Sequence, residues 1–244
     1  VYPNLSMLLA PPLAFAIFTT LLRKEGYSVD IFDVTAYVGE GATAMAENKS
    51  IGDEMNTLRS ELAEEKDHNV TFQTKSTEEY MVEMMQSRPF SFEDDMGIQS
   101  KTGLYEDFVE KVERFNPDLI LTSVVEDTFF QTVKLTSLIS EKSIPVLHGG
   151  VFITAAPELS LTYPGIDLIG IGEGEQIVLD VADCIRNNRP CDQIPGVWIK
   201  KKDGTIIKNA RGPLYDYKKV IPDYSLFEEV RFYRPMGGNF FKSV

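Results

Sequence analysis

The sequence predicts an α/β domain: a doubly wound, parallel five-stranded sheet of Rossmann-like or flavodoxin-like type, order 2-1-3-4-5, with a helical insertion and a C-terminal β-hairpin and linker. Two observations carry this. Short apolar runs alternate with helical patterns, the rhythm of βαβ units joined by right-handed crossovers. Two of the runs also end in glycines that open into a helix, Leu147-His148-Gly149-Gly150 and Leu168-Ile169-Gly170-Ile171-Gly172-Glu173-Gly174. A parallel strand looks like this where it delivers its backbone to a ligand at its carboxyl end, because glycine removes the Cβ that would hold a ligand away.

The elements follow in order. Val1-Tyr2-Pro3-Asn4 reads as the tail of a first strand whose beginning is cut away or lies at the very edge of the sequence. Pro12 to Glu25 reads as a helix, with Pro12 in the first turn, Ala14, Ile17, Phe18, Leu21 and Leu22 on one face, and Gly26 at the C-cap. Ser28 to Asp33 is the second strand. Residues 34–101 break the rhythm; they are rich in Glu, Met, Ser and Thr, with helical patches at 52–65 and 77–86, and read either as a helical insertion covering the sheet edge or the ligand mouth or as an acidic excursion without a ligand role.

Leu104 to Phe115 is an amphipathic helix stopped by Asn116-Pro117. Asp118 to Val124 is a continuous apolar run ending in Thr122 and Ser123, as a buried central strand should read. Asp127 or Thr128 caps a helix to about Glu141. Ile144 to His148 is the fourth strand, a short helix lies near Pro157 to Leu161, Asp167 to Ile171 is the fifth strand, and Glu173 to Asn187 the last helix. Asp203-Gly204, between two apolar runs, marks a hairpin. The Pro- and Gly-containing remainder reads as an extended linker, so the chain divides into an α/β unit over 1–187 and a hairpin with linker over 188–244.

Composition bounds the function. Of 244 residues 43% are hydrophobic, enough for a real core, and the net charge of -13 argues against a nucleic-acid partner, which needs a basic surface. No apolar run is long enough to span a membrane. The two cysteines, Cys184 and Cys191, make no disulfide framework and have no metal-ligand spacing, which points to a reducing cytoplasm and incidental thiols. No residue reads as a general acid or base or a nucleophile.

The ordered features Pro11-Pro12-Leu13-Ala14, Asn116-Pro117-Asp118-Leu119-Ile120, Gly149-Gly150 followed by Pro157-Glu158, Gly172-Glu173-Gly174-Glu175, Ile194-Pro195-Gly196-Val197 and Ile221-Pro222-Asp223-Tyr224 carry a resemblance. The chain resembles the N-terminal cobalamin-binding domain of cobalamin-dependent radical S-adenosylmethionine enzymes. The resemblance implies a corrin at the carboxyl edge of the sheet, in an enzyme that is a methyltransferase or a ring-forming cyclase. It also implies a radical domain with its iron-sulfur cluster and S-adenosylmethionine; the CxxxCxxC loop for that metal-binding cluster is not in this sequence, so the expectation is a fragment lacking the barrel. The histidine motif that ligates cobalt in other cobalamin domains is also absent after the first strand, as in many members of the radical family.

Under that resemblance the site residues are Thr122, Ser123, His148, Gly149, Gly150, Gly172, Glu173 and Gly174. The glycines would open a slot for the nucleotide tail of cobalamin, and Thr122 and Ser123 would hydrogen-bond the tail base or corrin amides. Backbone N–H groups near Gly172-Glu173-Gly174 would meet the phosphate. Glu173 and Glu175 would repel that phosphate, unless they turn towards their own helix N–H groups as caps. His148 reads either as a lower cobalt ligand or as a histidine finishing a strand. The glycine turns read either as ligand contacts or as bare punctuation of the fold. Three alternatives stay open: a degenerate domain without corrin that serves as a structural or substrate-presenting module, a flavin or nucleotide module, and a receiver-like domain. Against the last two, no phosphate loop follows strand one, and no acceptor aspartate ends strand three.

Overall fold

The computed structural model describes residues 1–4, 10–37, 99–236 and 239–242. The expected helical insertion, with its patches at 52–65 and 77–86, lies outside the described residues apart from its two ends, which meet in a single parallel bridge between Tyr37 and Lys101.

The helices follow their sequence signals. Helix α1 (Leu13–Lys24) starts after Pro12, carries Arg23 and Lys24 in its last turn, and ends where Gly26 takes a φ of 79°. Helix α2 (Leu104–Phe115) turns Leu104, Phe108 and Val112 inward and stops at Asn116, which adopts a left-handed φ of 49° just before Pro117. A 3₁₀ turn over Glu126–Thr128 leads into α3 (Phe129–Ser137). Two short helices, α4 (Val151–Ala155) and α5 (Pro157–Ser160), precede the long α6 (Gly174–Arg186).

The sheet departs from the expected order 2-1-3-4-5. Its five strands are β1 (Ile120–Ser123), β2 (Val146–Gly149), β3 (Leu168–Gly170), β4 (Val197–Lys200) and β5 (Ile206–Lys208), side by side in sequence order. β1, β2 and β3 are parallel, whereas β4 and β5 run antiparallel, so the sheet is mixed. The difference has two causes. The segments expected as the first two strands form no ladder: Tyr2 and Asp33 share one parallel bridge, and the Val1 nitrogen donates to the Leu121 carbonyl at 2.6 Å, which sets this pair beside β1. The hairpin around Asp203-Gly204 then continues the sheet, with Val197, Trp198 and Ile199 pairing with β3.

Strand alternation decides which side chain meets which layer. Leu147 and Val197 join Leu22 of α1 and Ile177, Val178 and Val181 of α6 in one core, with Leu121 and Leu168 packed against it. Ile120 faces the other way, onto Phe108 and Val112 of α2 and Leu135 of α3. Val124, Ile169 and Ile171 meet Phe129, Ile153 and Leu161 on that same side. Phe108, Leu135, Ile153 and Ile169 are fully buried, and each such side chain contributes about 1.5–3 kcal/mol by leaving water.

The C-terminal part is not a free linker. A 3₁₀ helix over Glu229–Phe232 carries Arg231 into the body, and a second hairpin, β6 (Tyr233–Met236) with β7 (Asn239–Lys242), follows it. Arg231 is 4% exposed and pairs with Asp33 and the Thr35 hydroxyl, while its other nitrogen donates to the Ala10 carbonyl at 3.2 Å. A buried charge of this kind persists only where it is paired, and here it ties residue 231 to the end of the second segment.

Candidate functional site

The carboxyl ends of the three parallel strands lie at Ser123, Gly149 and Gly170, so the predicted residues gather at one edge. They do not share one face. Thr122 and Ser123 are adjacent in β1, and alternation sends them to opposite sides of the sheet.

Thr122 stands opposite His148 in the β1–β2 register, and its Oγ1 lies 3.0 Å from His148 Nδ1. Both are buried, His148 completely. The two polar groups meet each other on the side of α2 and α3. Burial pushes the imidazole down to about 4, against the smaller opposing influences of the Gly165 backbone and Asp167, so the ring is neutral at pH 7. Its Nε2 makes no hydrogen bond of good geometry. The structure therefore places this histidine inside the sheet layer.

The other face is different. Ser123 is half-buried, and its hydroxyl has no partner among the described residues. Beside it, a Cβ built on Gly149 meets only the Thr122 carbonyl at 3.6 Å and the Gly170 carbonyl at 4.0 Å, with no side chain near it. Gly170 is shadowed by Ile177 of α6 at 3.3 Å. The Ser123 hydroxyl and the uncovered Gly149 backbone thus sit side by side at this strand end. Phe18 of α1 packs against the first residue of α6, its ring 2.7 Å from where a Gly174 Cβ would lie.

Gly150 is a glycine for an internal reason. At φ 103° its Cβ would come within 2.5 Å of the Val124 carbonyl and closer still to the Val124 nitrogen. This turn lets the chain cross the end of β1, where the Val124 nitrogen donates to the Gly149 carbonyl at 2.8 Å. Gly172, at φ 94°, keeps its nitrogen on the Thr154 hydroxyl at 3.0 Å.

The Gly172-Glu173-Gly174-Glu175 turn is covered by a stretch the sequence read as linker. Residues 211–217 lie across it as a strap. The Tyr215 nitrogen donates to the Glu173 carboxylate at 2.7 Å, and the Arg211 side chain lies 3.6 Å from the Cβ position of Gly172. Tyr217 reaches Glu175; burial first and this carboxylate second push its phenol up to about 12. Glu173 makes no cap bond to its own helix, contrary to the capping alternative, and Glu175 is buried at 6% exposure with one oxygen unpaired. The strap and Phe18 were not legible locally; the two tyrosines two residues apart, flanked by Pro213 and Pro222, were the available signal.

A cavity of about 450 Å³ lies apart from all eight predicted residues, among Asp33, Thr35, Tyr37, Asp107, Lys111 and Arg231. Its charges are largely matched, since Lys111 pairs with Asp30 at 2.5 Å and Arg231 with Asp33. Among the described residues no group of three or more His, Cys, Asp or Glu stands together as a metal site, and no helix is long and apolar enough to cross a membrane.

Comparison with known proteins gives these features a context. The B12 binding domain family matches residues 80–182, which take in α2, β1 to β3 and most of α6. The chain is 28% identical over 137 residues to the anaerobic magnesium-protoporphyrin IX monomethyl ester cyclase of Rubrivivax gelatinosus, covering 52% of this chain and 24% of that protein. It is 25% identical over 113 residues to the cytidylyl-2-hydroxyethylphosphonate methyltransferase of Streptomyces wedmorensis, covering 45% of this chain and 21% of that protein. The chain thus matches less than a quarter of the length of each. The solved structure of the radical S-adenosylmethionine methyltransferase TsrM from Kitasatospora setae, with cobalamin and its iron-sulfur cluster bound, superposes with a TM-score of 0.53 at 18% identity, over 91% of this chain and 30% of that one; this likeness is one of fold. Residues 80–182 thus match a B12 binding domain, and the chain resembles the cobalamin-dependent radical S-adenosylmethionine enzymes.

Proposed function

We propose that this chain is the cobalamin-binding module of a radical S-adenosylmethionine enzyme, a methyltransferase in the first instance, with the corrin held at the carboxyl edge of β1, β2 and β3. The carrying observation is the recess on the α1–α6 face: an unpaired Ser123 hydroxyl beside Gly149, whose missing Cβ leaves room in front of the backbone. This is the chemistry a flat base and its amide-bearing macrocycle require: one hydrogen-bonding hydroxyl and main chain that can be approached closely.

In this reading Ser123 takes the polar edge of the nucleotide base, and Gly149 and Gly150 form the floor under it. Gly172, Glu173 and Gly174 border the ligand on the far side. Thr122 and His148 stand behind the site and hold the β1–β2 register, which orients Ser123. Buried in the sheet layer, His148 does not reach cobalt in this reading. Cobalamin bound here would supply methyl transfer to a substrate held elsewhere. Residues 1–187 form the cobalamin-binding-like α/β unit that carries the sheet edge, and 188–244 lead over it towards a radical domain that brings S-adenosylmethionine and the four-iron four-sulfur cluster. The setting is the reducing cytoplasm, where Cys184 and Cys191 remain free thiols.

The test is a visible spectrum of the chain mixed with hydroxocobalamin and desalted. Retained corrin with a base-off spectrum supports the reading, and a base-on-like spectrum, with either the tail's own benzimidazole or a histidine on cobalt, contradicts it. One observation favours a second reading, a degenerate domain without corrin that serves as a structural or substrate-presenting module. The Phe18 ring occupies the space in front of Gly174, where a tail would have to enter between α1 and α6. A colourless protein in which Phe18→Ala restores no binding would decide for that alternative.

A further inference from the structure

The Gly172-Glu173-Gly174-Glu175 turn presents a charge problem. Two carboxylates border the place where an anionic ligand group would arrive, in a chain of net charge -13. The strap over 211–217 bears on this in three ways. It engages Glu173 through the Tyr215 nitrogen at 2.7 Å. It sets Tyr217 against Glu175, which lies buried. It lays Arg211 over Gly172, with the Cδ and Nε atoms 3.6 and 3.9 Å from that residue's Cβ position. The Arg211 guanidinium is exposed and has no carboxylate or hydrogen-bond partner among the described residues. Other strap and exit residues find partners: Lys208 pairs with Glu158 at 2.8 Å, and Arg231 is buried against Asp33. An unpaired guanidinium held beside two engaged carboxylates offsets part of the negative charge that an approaching ligand meets and gives it one cation to pair with.

We propose that residues 211–217 are part of the ligand site and that Arg211 is its anion-recognition residue, taking the phosphodiester of a nucleotide-tailed corrin through a charge-assisted, two-pronged contact. This rests on the cobalamin reading above and specifies which part of the ligand is read. Planar guanidinium and phosphate oxygens match in geometry, and such contacts are about twice as strong as neutral ones. The two carboxylate attachments hold the strap in register, so they position the arginine.

The experiment compares hydroxocobalamin with cobinamide, a corrin that lacks the phosphodiester and the base, on the full 244-residue chain and on Arg211→Ala. The parent chain is expected to bind hydroxocobalamin more tightly than cobinamide. Arg211→Ala should lose about tenfold in affinity for hydroxocobalamin and none for cobinamide, and Arg211→Lys should recover part of the loss. The hydroxocobalamin affinity of the parent chain should also fall with added salt more steeply than that of Arg211→Ala. Equal losses for both corrins would mean that Arg211 supports the strap in general, and no loss for either would mean that it reads nothing; both results overturn the proposal. If the parent chain retains neither corrin, the cobalamin reading itself fails and this inference with it. Retention of both with equal affinity overturns the inference alone.

Discussion

Thr122 and Ser123 are neighbours in one strand, and the two faces of the sheet put them to different uses. On the α2–α3 side, Thr122 and His148 meet at 3.0 Å, both buried inside the layer and closed to a ligand at the sheet edge. On the α1–α6 side, the Ser123 hydroxyl has no partner among the described residues and Gly149 is bare. The lesson is that a run of polar and glycine residues at a strand end is not one site. The period of two splits it, and only one half faces the recess.

The same contrast runs between Gly149 and Gly150, and it sets the largest expected effect. Gly150→Ala drives a Cβ into the Val124 backbone at a left-handed φ, and should cost about 3 kcal/mol or more, or abolish folding. Gly149→Ala meets only ordinary contacts and should stay within about 1 kcal/mol. Urea unfolding of the pair checks this, and equal costs would erase the distinction.

The closed face should also show in the pH dependence. His148 has its folded pKa lowered to about 4, from an ordinary value of 6.5. Between these values the unfolded chain binds the proton and the folded chain does not, so stability is complete above about pH 6.5 and falls as the pH drops towards 4. The full loss is about 3 kcal/mol, read as a shift of the urea midpoint between pH 7 and pH 4.5. His148→Leu should flatten that slope, and an unchanged slope would mean that other groups carry it.

Smaller effects sharpen the comparison. Thr122→Val leaves His148 Nδ1 without its partner and should cost about 1–2 kcal/mol, measured by thermal or urea unfolding. Ser123→Ala removes a hydroxyl that holds nothing in the free protein, so its stability should change by less than about 0.5 kcal/mol while corrin affinity falls several-fold in a titration.

Much of the layer structure was legible in the sequence because it is local. Leu104 to Phe115 is one helix with its apolar positions inward, and Asp203-Gly204 is a hairpin turn. The order of the sheet was less legible. Ser28 to Asp33 has strand-like alternation, but with Tyr2 it makes a single bridge, whereas β4 and β5 extend the ladder. Local pattern cannot say which edge a hairpin joins. The site was half legible for the same reason. The glycine turns announce the carboxyl edge, but the Phe18 ring on Gly174, the strap over Glu173 and the Arg231–Asp33 pair join residues far apart in the chain. No spacing rule encodes them.

The most direct measurement compares corrin retention by the parent chain, Gly149→Val and Thr122→Val, each checked for folding and then mixed with hydroxocobalamin and desalted. Base-off corrin should be retained by the parent chain and by Thr122→Val, and lost from a folded Gly149→Val. Retention by Gly149→Val, or equal loss from Thr122→Val while it remains folded, would contradict the assignment of the ligand to the α1–α6 face.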